Sequence, residues 1–593
     1  MASLTMTSTP DRGPPESPPN RARRVRWKWI AGLAALSILG VGLRPTPAHR
    51  TLFVGGPVLT MDAAGTVADA ALVVGNRIAR VGAAAEIAGW LDGTESVVAL
   101  GGRALLPGFV DAHGHFPATR LGGLGVDLAP PPVGDVGDLP TLLSRLTEAA
   151  AADGPTDRWL LGFDHDDANL VEGRHPTRDE LDAVVPDRPV WLRHRSGHMG
   201  VGNSRALAEL GLDEGYVAAA GGAVRRDAAG RLDGLVQERA APPLSRLLRE
   251  VPPRALLGAL GAARDEYLAA GVTTVQNGHA GPGLGALLAW SVRLGLLPQR
   301  VVLWPAHRTG EGAPSPGAAA RAWLGEDWLR TGPVKVILDG SPQGLTAWLT
   351  EPYFAIATSV AGLEPGYRGF PTIDPAAFAA DALALHGAGI DLAIHANGDA
   401  AIDAALDALE AAGRAAPRGD ARHLLVHAQT ARPDQLRRMA RLGVEASFFV
   451  PHVPHWGDWH RTRALGPERA ARISPLASAD AAGVGWSAHA DSPVTPMRPL
   501  EIVDAAVDRR TRSGEVLGPG ERVSRARALR AVTADAARQA RLEHDRGAIR
   551  PGLLADLVVL SGDPLAAPRA AELAVDAVWI GGRPAFERPD GAP

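Results

Sequence analysis

The chain is organised around one stretch, Pro333-Val334-Lys335-Val336-Ile337-Leu338-Asp339-Gly340. Its apolar and β-branched residues followed by Asp-Gly predict a buried strand that runs into a turn. Only two of the 61 basic residues are lysines, Lys28 and Lys335. A desolvated amine, unlike a guanidinium, can lose its proton and act as a nucleophile or form a carbamate. Lys335 is therefore a candidate functional residue, and the alternative is a chance lysine in a surface strand.

Composition limits the classes of function. The 593 residues are 46% hydrophobic and 21% charged, which is ordinary for a globular protein long enough for several domains. A formal net charge of −4 gives no overall basic field and argues against nucleic acid as a partner. Because the chain has no cysteine, any metal site must use histidine, carboxylate or modified lysine ligands.

The first 49 residues have the order of a disordered tail and an export signal. Residues 1–20 are rich in Pro, Ser and Thr, and an arginine-rich run that ends at Lys28 precedes the apolar run Trp29–Leu43. That apolar length suits a secretory signal and is short for a membrane span. Since Thr46-Pro47-Ala48 is a poor cleavage site, an uncleaved membrane anchor is an alternative, and a disordered basic tail is another. We expect an exported or membrane-anchored protein rather than a cytoplasmic one.

Strand patterns dominate both ends of the remaining chain, and strands alternate with Ala-rich helices between them. Residues 50–103 include a hairpin with a Gly75-Asn76 turn, and residues 545–593 contain similar strands, so the two ends predict one composite β-sandwich domain. The alternation over residues 104–544 predicts an α/β fold, a (β/α)8 TIM barrel with its active site at the C-terminal strand ends. An inserted subdomain at about 120–255 follows the first strand. The eight candidate barrel strands are Ala104–Asp111, Val272–Gln276, Arg300–Trp304, Val334–Leu338, Asp391–Ile394, Leu424–Val426, Val444–Phe448 and Val484–Ser487.

Histidines follow the ends of four of these strands. The first strand ends in Asp111-Ala112-His113-Gly114-His115, and two histidines at i and i+2 of an extended chain point the same way. The fifth strand ends at His395, the sixth at His427 and the eighth at His489-Ala490-Asp491, while the fourth carries Lys335. A set of this kind at one end of a barrel predicts a metal centre.

The run Leu106-Pro107-Gly108-Phe109-Val110-Asp111-Ala112-His113-Gly114-His115 resembles the opening motif of the amidohydrolase superfamily. Over roughly residues 50–585 the chain resembles its amidohydrolase-3 group, the YtcJ-like and N-substituted formamide deformylase-like metal-dependent hydrolases. Two departures are Leu425-Val426-His427, where many relatives have Ile-Glu-His, and His489-Ala490-Asp491, where they often have Gly-Ser-Asp. The further matching motifs are Val334-Lys335 to Asp339-Gly340, His395-Ala396-Asn397-Gly398-Asp399, His427-Ala428-Gln429, Asp491-Ser492-Pro493-Val494, Glu172-Gly173-Arg174-His175-Pro176-Thr177, Ser196-Gly197-His198 with Asn203-Ser204, and Gly547 to Asp556-Leu557.

The resemblance implies the barrel and composite sandwich, with one or two divalent metals, usually zinc. His113 and His115 would bind the more buried metal, and His395 and His427 the second. Lys335 would bridge the metals as a carbamate, and Asp491 would be a ligand and the general base. A single-metal site with an unmodified lysine is the alternative.

Further residues are candidates for orienting ligands or contacting substrate. Asp399 and Gln429 follow ligand strands and suit the orientation of imidazoles, with helix capping as the alternative. His489 could orient a ligand, contact substrate or simply pack. The remaining candidates for the substrate pocket are Glu238, His198, Asp164, His455 and Trp456.

The predicted activity is hydrolysis of a non-peptide C–N bond in a small N-substituted amide or formamide by metal-activated water. Hydrolysis of a lactone or an ester is the alternative within the class, because the same site polarises either carbonyl. A non-catalytic binding protein on a decayed barrel is the alternative outside it, and the intact ligand set argues against that. The oligomeric state is left open by the sequence.

Overall fold

The computed structural model describes residues 49–154, 156–307, 325, 327–354 and 364–589. The predicted tail and the apolar segment Trp29–Leu43 lie outside the described residues. Within those ranges, no helix combines the length and the apolar character needed to cross a membrane.

Strands and helices alternate through most of the described chain. The strands are β1 (Arg50–Leu59), β2 (Val67–Val74), β3 (Arg77–Gly82), β4 (Ser96–Ala99), β5 (Ala104–Pro107), β6 (Phe109–Val110), β7 (Val126–Asp127), β8 (Leu160–His165), β9 (Val190–His194), β10 (Met199–Gly202), β11 (Gly222–Arg226), β12 (Leu232–Glu238), β13 (Val272–Ala280), β14 (Arg300–Pro305), β15 (Leu329–Thr331), β16 (Val334–Ile337), β17 (Leu392–Ala396), β18 (Leu424–His427), β19 (Glu445–Phe448), β20 (Trp486–Ala488), β21 (Leu557–Leu560), β22 (Val575–Ile580) and β23 (Arg583–Glu587). The α-helices are α1 (Ala84–Ala88), α2 (Leu139–Asp153), α3 (Arg178–Val184), α4 (Ser204–Leu210), α5 (Leu244–Leu247), α6 (Pro253–Ala269), α7 (Pro282–Arg293), α8 (Pro375–Gly387), α9 (Asp399–Ala415), α10 (Pro433–Leu442), α11 (His452–Trp459), α12 (Gly466–Ala470), α13 (Leu476–Ala482), α14 (Pro499–Asp508), α15 (Arg525–Ala531) and α16 (Ala534–Gln539).

The terminal sheet contains strands from both ends of the described chain. Its order is β23-β22-β21-β5-β1-β2-β3, and β4 pairs with β1. The predicted hairpin is present as β2 and β3, joined at Gly75-Asn76, and Gly75 has a φ of +64° that suits glycine. The antiparallel pairing of β5 with β21 joins the early and late parts of the chain.

The first predicted barrel strand is wrong in its extent. Instead of one strand over Ala104–Asp111, the chain forms β5, which pairs in the terminal sheet, and β6, which pairs in parallel with β13. The break falls at Gly108, where an added Cβ would lie 2.2 Å from Thr273 Cγ2. Only glycine allows the backbone to pass this close to β13, so the chain changes sheets at that residue.

Two parallel sheets carry the remaining predicted strands. Their orders are β15-β14-β13-β6 and β16-β17-β18-β19-β20. A parallel bridge between Ala306 and Lys335 connects them at one edge. At the other edge Asp491 N–H donates to His113 C=O (3.2 Å) and His115 N–H donates to Ser492 C=O (2.8 Å). Most of these strand residues are buried, which explains their continuous apolar runs.

A separate six-stranded sheet lies between β6 and β13 in the chain. Its order is β11-β12-β10-β9-β8-β7. It has its own apolar core, which includes Leu142, Leu192 and Val201. In β8 and β9, which are parallel, His165 and His194 lie in register at the C-terminal ends.

A buried ion pair joins the parallel strands to the terminal sheet. Arg300, which begins β14, approaches Asp556, which precedes β21, with Nε 2.5 Å from Oδ2 and Nη2 2.9 Å from Oδ1. Gly581 N–H also donates to Asp556 Oδ1. Burial opposes the carboxylate form, but Arg300 holds the pKa of Asp556 below its ordinary value.

Candidate metal centre

The predicted ligands lie together at the C-terminal ends of the parallel strands. Carboxyl ends of parallel neighbours meet at one edge of a sheet, so side chains at or just after the ends of β6, β17, β18 and β20 converge there with the lysine of β16. The residues brought together are His113, His115, Lys335, His395, His427 and Asp491.

The carboxylate of Asp491 is the centre of this group. Its Oδ1 lies 3.2 Å from His115 Nε2 and 3.4 Å from His113 Nε2. Its Oδ2 lies 3.9 Å from His427 Nε2. Lys335 Nζ lies 3.0 Å from His113 Nε2. Potential ligand atoms of His113, His427 and Asp491 are all within 4.8 Å of one another.

Burial sets the protonation states of the bases. It lowers the pKa of His113, His395 and His427 well below the ordinary value for histidine. Neutral imidazole is the form that binds a metal. Burial also lowers the pKa of Lys335 to about 7, although the Asp491 carboxylate opposes that change. At pH 7, therefore, about half of the lysine is in the neutral amine form.

Asp491 is an anion in this environment. Although burial disfavours a carboxylate, the nearby imidazole of His115 lowers the pKa of Asp491 below its ordinary value. Among the described residues, no hydrogen-bond donor is aligned with its buried Oδ1. The anionic Asp491 and the neutral imidazoles of His113, His395 and His427 provide oxygen and nitrogen ligands that suit a divalent metal.

His395 contacts Gly340 on the turn after β16, Asn397 just after β17 and His427 in β18. Its Nδ1 lies 3.1 Å from His427 Nε2, and its Nε2 lies 3.2 Å from Gly340 C=O and 3.0 Å from Asn397 Nδ2. The buried Asp339 accepts hydrogen bonds from the backbone N–H groups of Trp348, Asn397 and Gly398.

In the sequence, Asp339 stands out only as part of a motif that predicts a strand and a turn. Burial raises its pKa to about 7, against these three donors. These hydrogen bonds hold the Asp339 turn against Asn397 and Gly398, and the next residue of that turn, Gly340, contacts His395.

His489 contacts a predicted ligand directly. Its Nε2 lies 3.1 Å from His427 Nδ1, and its Nδ1 lies 2.8 Å from Ser447 Oγ. Ser487 Oγ donates to Ser447 Oγ at 3.1 Å. This row of hydrogen bonds fixes the ring of His427 with Nε2 directed at the centre. Of the three roles considered for His489, the structure favours orientation of a ligand.

A cavity borders the centre and includes residues from the six-stranded sheet. His198 Nδ1 lies 2.8 Å from Glu238 Oε2. Burial disfavours the charged imidazole, but Glu238 raises the pKa of His198 above its ordinary value. The cavity is lined by Ser196, His198, Ser341, Gln343, His395, Asn397, His427, Phe449, His452, Asp491 and Val494.

The sequence matches the amidohydrolase family over residues 96–586. The chain belongs to that family. It is 29% identical to the N-substituted formamide deformylase of Arthrobacter pascens over 92% of this chain and 99% of that protein. It is 27% identical to the putative amidohydrolase YtcJ of Bacillus subtilis (strain 168), over 79% of this chain and 86% of that protein. Another relative, protein LONG AFTER FAR-RED 3 of Arabidopsis thaliana, is 29% identical over 86% of this chain and 87% of that protein.

Solved structures show the same amidohydrolase fold. An uncharacterised metal-dependent hydrolase from Pyrococcus horikoshii OT3 has a TM-score of 0.65, with 24% identity, and covers 88% of this chain and 99% of its own. One from Pyrococcus furiosus has a TM-score of 0.60, with 27% identity, and covers 87% of this chain and 100% of its own. The predicted family is confirmed, and the chain is a hydrolase with the α/β amidohydrolase fold, whose buried histidines and carboxylates suit a divalent metal.

Asp399 does not orient a ligand of this amidohydrolase. It lies in the first turn of α9, and its Oδ1 accepts from Thr350 N–H at 2.8 Å. Thr350 Oγ1 donates to its Oδ2, and Arg432 Nη1 lies 3.1 Å from the same atom. The carboxylate therefore has a local structural role at the start of a helix, as in the alternative considered from the sequence.

Three other predicted residues of the amidohydrolase lie outside the cavity lining. Gln429 Nε2 donates to Ser474 Oγ at 3.0 Å rather than to an imidazole. His455 and Trp456 belong to α11, and the Trp456 Nε1–H donates to Asp166 Oδ2. From this segment the cavity is lined instead by His452.

Asp164 and Glu238, the remaining predicted pocket residues, also lie outside the cavity lining, although Glu238 contacts His198 within it. Asp164 is half-buried. Burial raises the pKa of its carboxyl, and Arg195 and Arg193 oppose that shift.

Proposed function

We propose that the chain hydrolyses the C–N bond of small N-substituted amides or formamides with a metal-activated water. The observation that carries the proposal is the convergence of His113, His115 and His427 Nε2 on the two oxygens of Asp491. The similarity to an N-substituted formamide deformylase over nearly the whole of both chains supports the choice of substrate class.

We further propose that the two parallel sheets form one (β/α)8 barrel. The strands β15 and β16 occupy one position, because both lie beside β14 and only Gly332 and Pro333 separate them. The two parallel sheets together then have eight strand positions, and backbone contacts connect one sheet to the other at both edges. The terminal sheet would then be the composite sandwich domain, and the six-stranded sheet the subdomain inserted over the barrel mouth.

Zinc, in one or two ions per chain, is the metal we propose. His113, His115 and Asp491 would hold the first ion, and His395 and His427 would hold the second. When bound, the metal would supply Lewis acidity that activates water and polarises the substrate carbonyl. The contacts of His395 with Gly340 C=O and Asn397 Nδ2, and of His427 with His489, orient the rings before binding.

Asp491 is the residue proposed to move the proton. Its carboxylate lies among the proposed ligands, so the oxygen that does not hold the metal can accept the proton of the attacking water. The same oxygen then delivers that proton to the leaving nitrogen, which departs as a neutral amine. The low pKa of Asp491 keeps it unprotonated at neutral pH, as a general base requires.

Lys335 is proposed as a ligand, either as a carbamate between two metals or as a neutral amine beside one. Both forms need an unprotonated amine, and burial lowers its pKa to about 7. His198, whose pKa Glu238 raises, faces the cavity and can donate a hydrogen bond to the substrate oxygen. Its proposed role is to bind and orient the substrate.

Zinc analysis combined with a substrate screen tests the proposal. Purified protein is expected to contain about one to two centre zinc ions per chain and to cleave formamides or N-substituted amides faster than lactones or esters. Asp491→Asn should abolish turnover, whereas Asp399→Asn, which changes a buried carboxylate outside the centre, should keep both zinc and activity. Zinc content no higher than that of the His113→Asn/His427→Asn variant would refute the proposal. Faster turnover of lactones than of amides would instead assign the activity to the hydrolysis of C–O bonds.

Export or membrane anchoring through residues 1–49 also remains our proposal. Fractionation of cells that express the full chain should place the protein in the envelope or the medium. Recovery of all of it in the cytosol, with residues 1–49 intact, would contradict this.

A further inference from the structure

A second group of buried histidines and carboxylates lies in the six-stranded sheet. His165 and His194 end the paired strands β8 and β9, and Asp166 and Asp167 follow His165 directly. His175 comes from the segment before α3. The exposed fraction of these five residues is 8% or less. The proposed amidohydrolase centre uses none of them.

Three of these residues direct ligand atoms at one point. His194 Nε2 lies 3.2 Å from Asp167 Oδ1 and 3.7 Å from Asp166 Oδ1. The three possible ligand atoms are all within 4.8 Å of one another. His175 Nε2 approaches the same point and lies 3.5 Å from Asp167 Oδ1.

The atoms at this point lack aligned hydrogen bonds. Among the described residues, neither Asp167 Oδ1 nor His194 Nε2 has a hydrogen-bond partner, although both are buried. A buried polar atom without a partner costs about 1–3 kcal/mol, and more when it is charged. Two adjacent buried carboxylates need a nearby cation, and either a protonated His194, whose pKa they raise to about 9, or a metal ion would meet that need.

The other atoms of the same side chains are occupied and fix their orientation. Asp166 Oδ2 accepts from Trp456 Nε1 and Asn169 Nδ2, both at 2.8 Å, which leaves Oδ1 toward the cluster. His194 Nδ1 lies 2.8 Å from Ser196 Oγ. Nδ1 also accepts from the Ser196 backbone N–H at 3.1 Å, so the ring proton lies on Nε2 in this structure. Metal binding at Nε2 would require that proton to move to Nδ1 and be donated to the hydroxyl. Outer hydrogen bonds of this kind are typical of metal-binding side chains.

We propose that Asp166, Asp167 and His194, with His175 as a fourth ligand, bind one divalent transition-metal ion outside the catalytic centre. Two imidazoles and two carboxylates without sulfur suit Zn²⁺ in a closed, tetrahedral structural site. The site joins the six-stranded sheet to α11 through Trp456. Through His194 it also contacts Ser196, which lines the cavity. Its role is to fix that wall of the cavity.

The test uses zinc in a full-length chain whose catalytic centre cannot bind it. The parent variant carries His113→Asn and His427→Asn, and it is stripped with chelator, reloaded with Zn²⁺, desalted and measured by elemental analysis. We expect it to keep about one zinc per chain, and adding Asp167→Asn with His194→Asn should remove that ion. His386→Asn is the matched control, because it removes a buried imidazole whose partners among the described residues are His423 Nε2 and Ala416 C=O.

A difference measurement covers the case in which the parent variant does not fold. The wild-type chain is then compared with Asp167→Asn/His194→Asn, and the pair should differ by about one zinc per chain while the centre metals stay. Zinc should also raise the melting temperature of the wild type more than that of the variant. Equal zinc content in the compared proteins would overturn the proposal and leave a metal-free network in which His194 is protonated between the carboxylates. Because zinc is counted without turnover, the result does not depend on the proposed hydrolysis.

Discussion

Replacement of Lys335 by methionine is expected to stabilise the metal-free protein. In the folded state burial lowers the pKa of this amine from 10.5 to about 7. Between these pH values the unfolded chain binds the proton and the folded chain does not. Protonation therefore favours unfolding, and the stability of the wild type rises as the pH rises through this window.

The magnitude follows from the two pKa values. Their difference is worth about 5 kcal/mol when the pH lies below 7, since one pKa unit is about 1.4 kcal/mol. Methionine has a similar length and no ionisable group, so this cost is absent in the variant. The variant loses the contact of Lys335 with His113 Nε2, which is worth about 1 kcal/mol. The net gain is thus about 4 kcal/mol at about pH 6. It should disappear by about pH 9.5, where the cost of the lysine has fallen to about 1.4 kcal/mol.

The assay is thermal and urea unfolding of chelator-treated protein in buffer purged of carbon dioxide, so that no carbamate forms. Wild type and Lys335→Met are compared at a mildly acidic and an alkaline pH. Lys335→Arg is the control, because a guanidinium keeps its charge, and it should destabilise the protein at both. A methionine variant that is no more stable than wild type in acid, or a difference independent of pH, would refute this reasoning.

Other predictions concern the hydrogen bonds around the centre and the link between the sheets. His489→Ala should weaken zinc binding by about 10–100-fold, measured by chelator competition, while His386→Ala should leave zinc affinity unchanged. Asp556→Asn should lower the free energy of unfolding by about 3–5 kcal/mol, because it leaves Arg300 buried without its anion. If that loss is below about 1 kcal/mol, the buried pair contributes little. Chelation should abolish hydrolysis, and readdition of Zn²⁺ should restore it; full activity after complete zinc removal would contradict a metal mechanism.

The ligand positions could be predicted because they follow local patterns. Two histidines at i and i+2 after an apolar strand, and single histidines after others, need only the rule that parallel strands end at one edge. The rare Lys335 was found from composition alone. These residues lie together in the structure as their spacing indicated.

The departures from prediction depend on contacts between distant segments. Nothing local in Ala104–Asp111 shows that its first half pairs with Leu557–Leu560, so one strand was expected where two are present. Asp399 follows a ligand motif, but Thr350 and Arg432 determine its role. The cluster of Asp166, Asp167, His175 and His194 combines separate segments, and only the segment that contains His175 lies in a motif that resembles the family.

The change of sheet at Gly108 has a consequence for shortened versions of the chain. Pro107 pairs with Leu557 in the terminal sheet, and His113 follows a few residues later. A chain that stops before Leu557 would keep every proposed zinc ligand but leave β5 with β1 as its remaining neighbour. Such truncation would loosen the backbone that positions the first two histidines. We therefore expect the last strands to be needed for metal affinity, although none of the proposed ligands belongs to them.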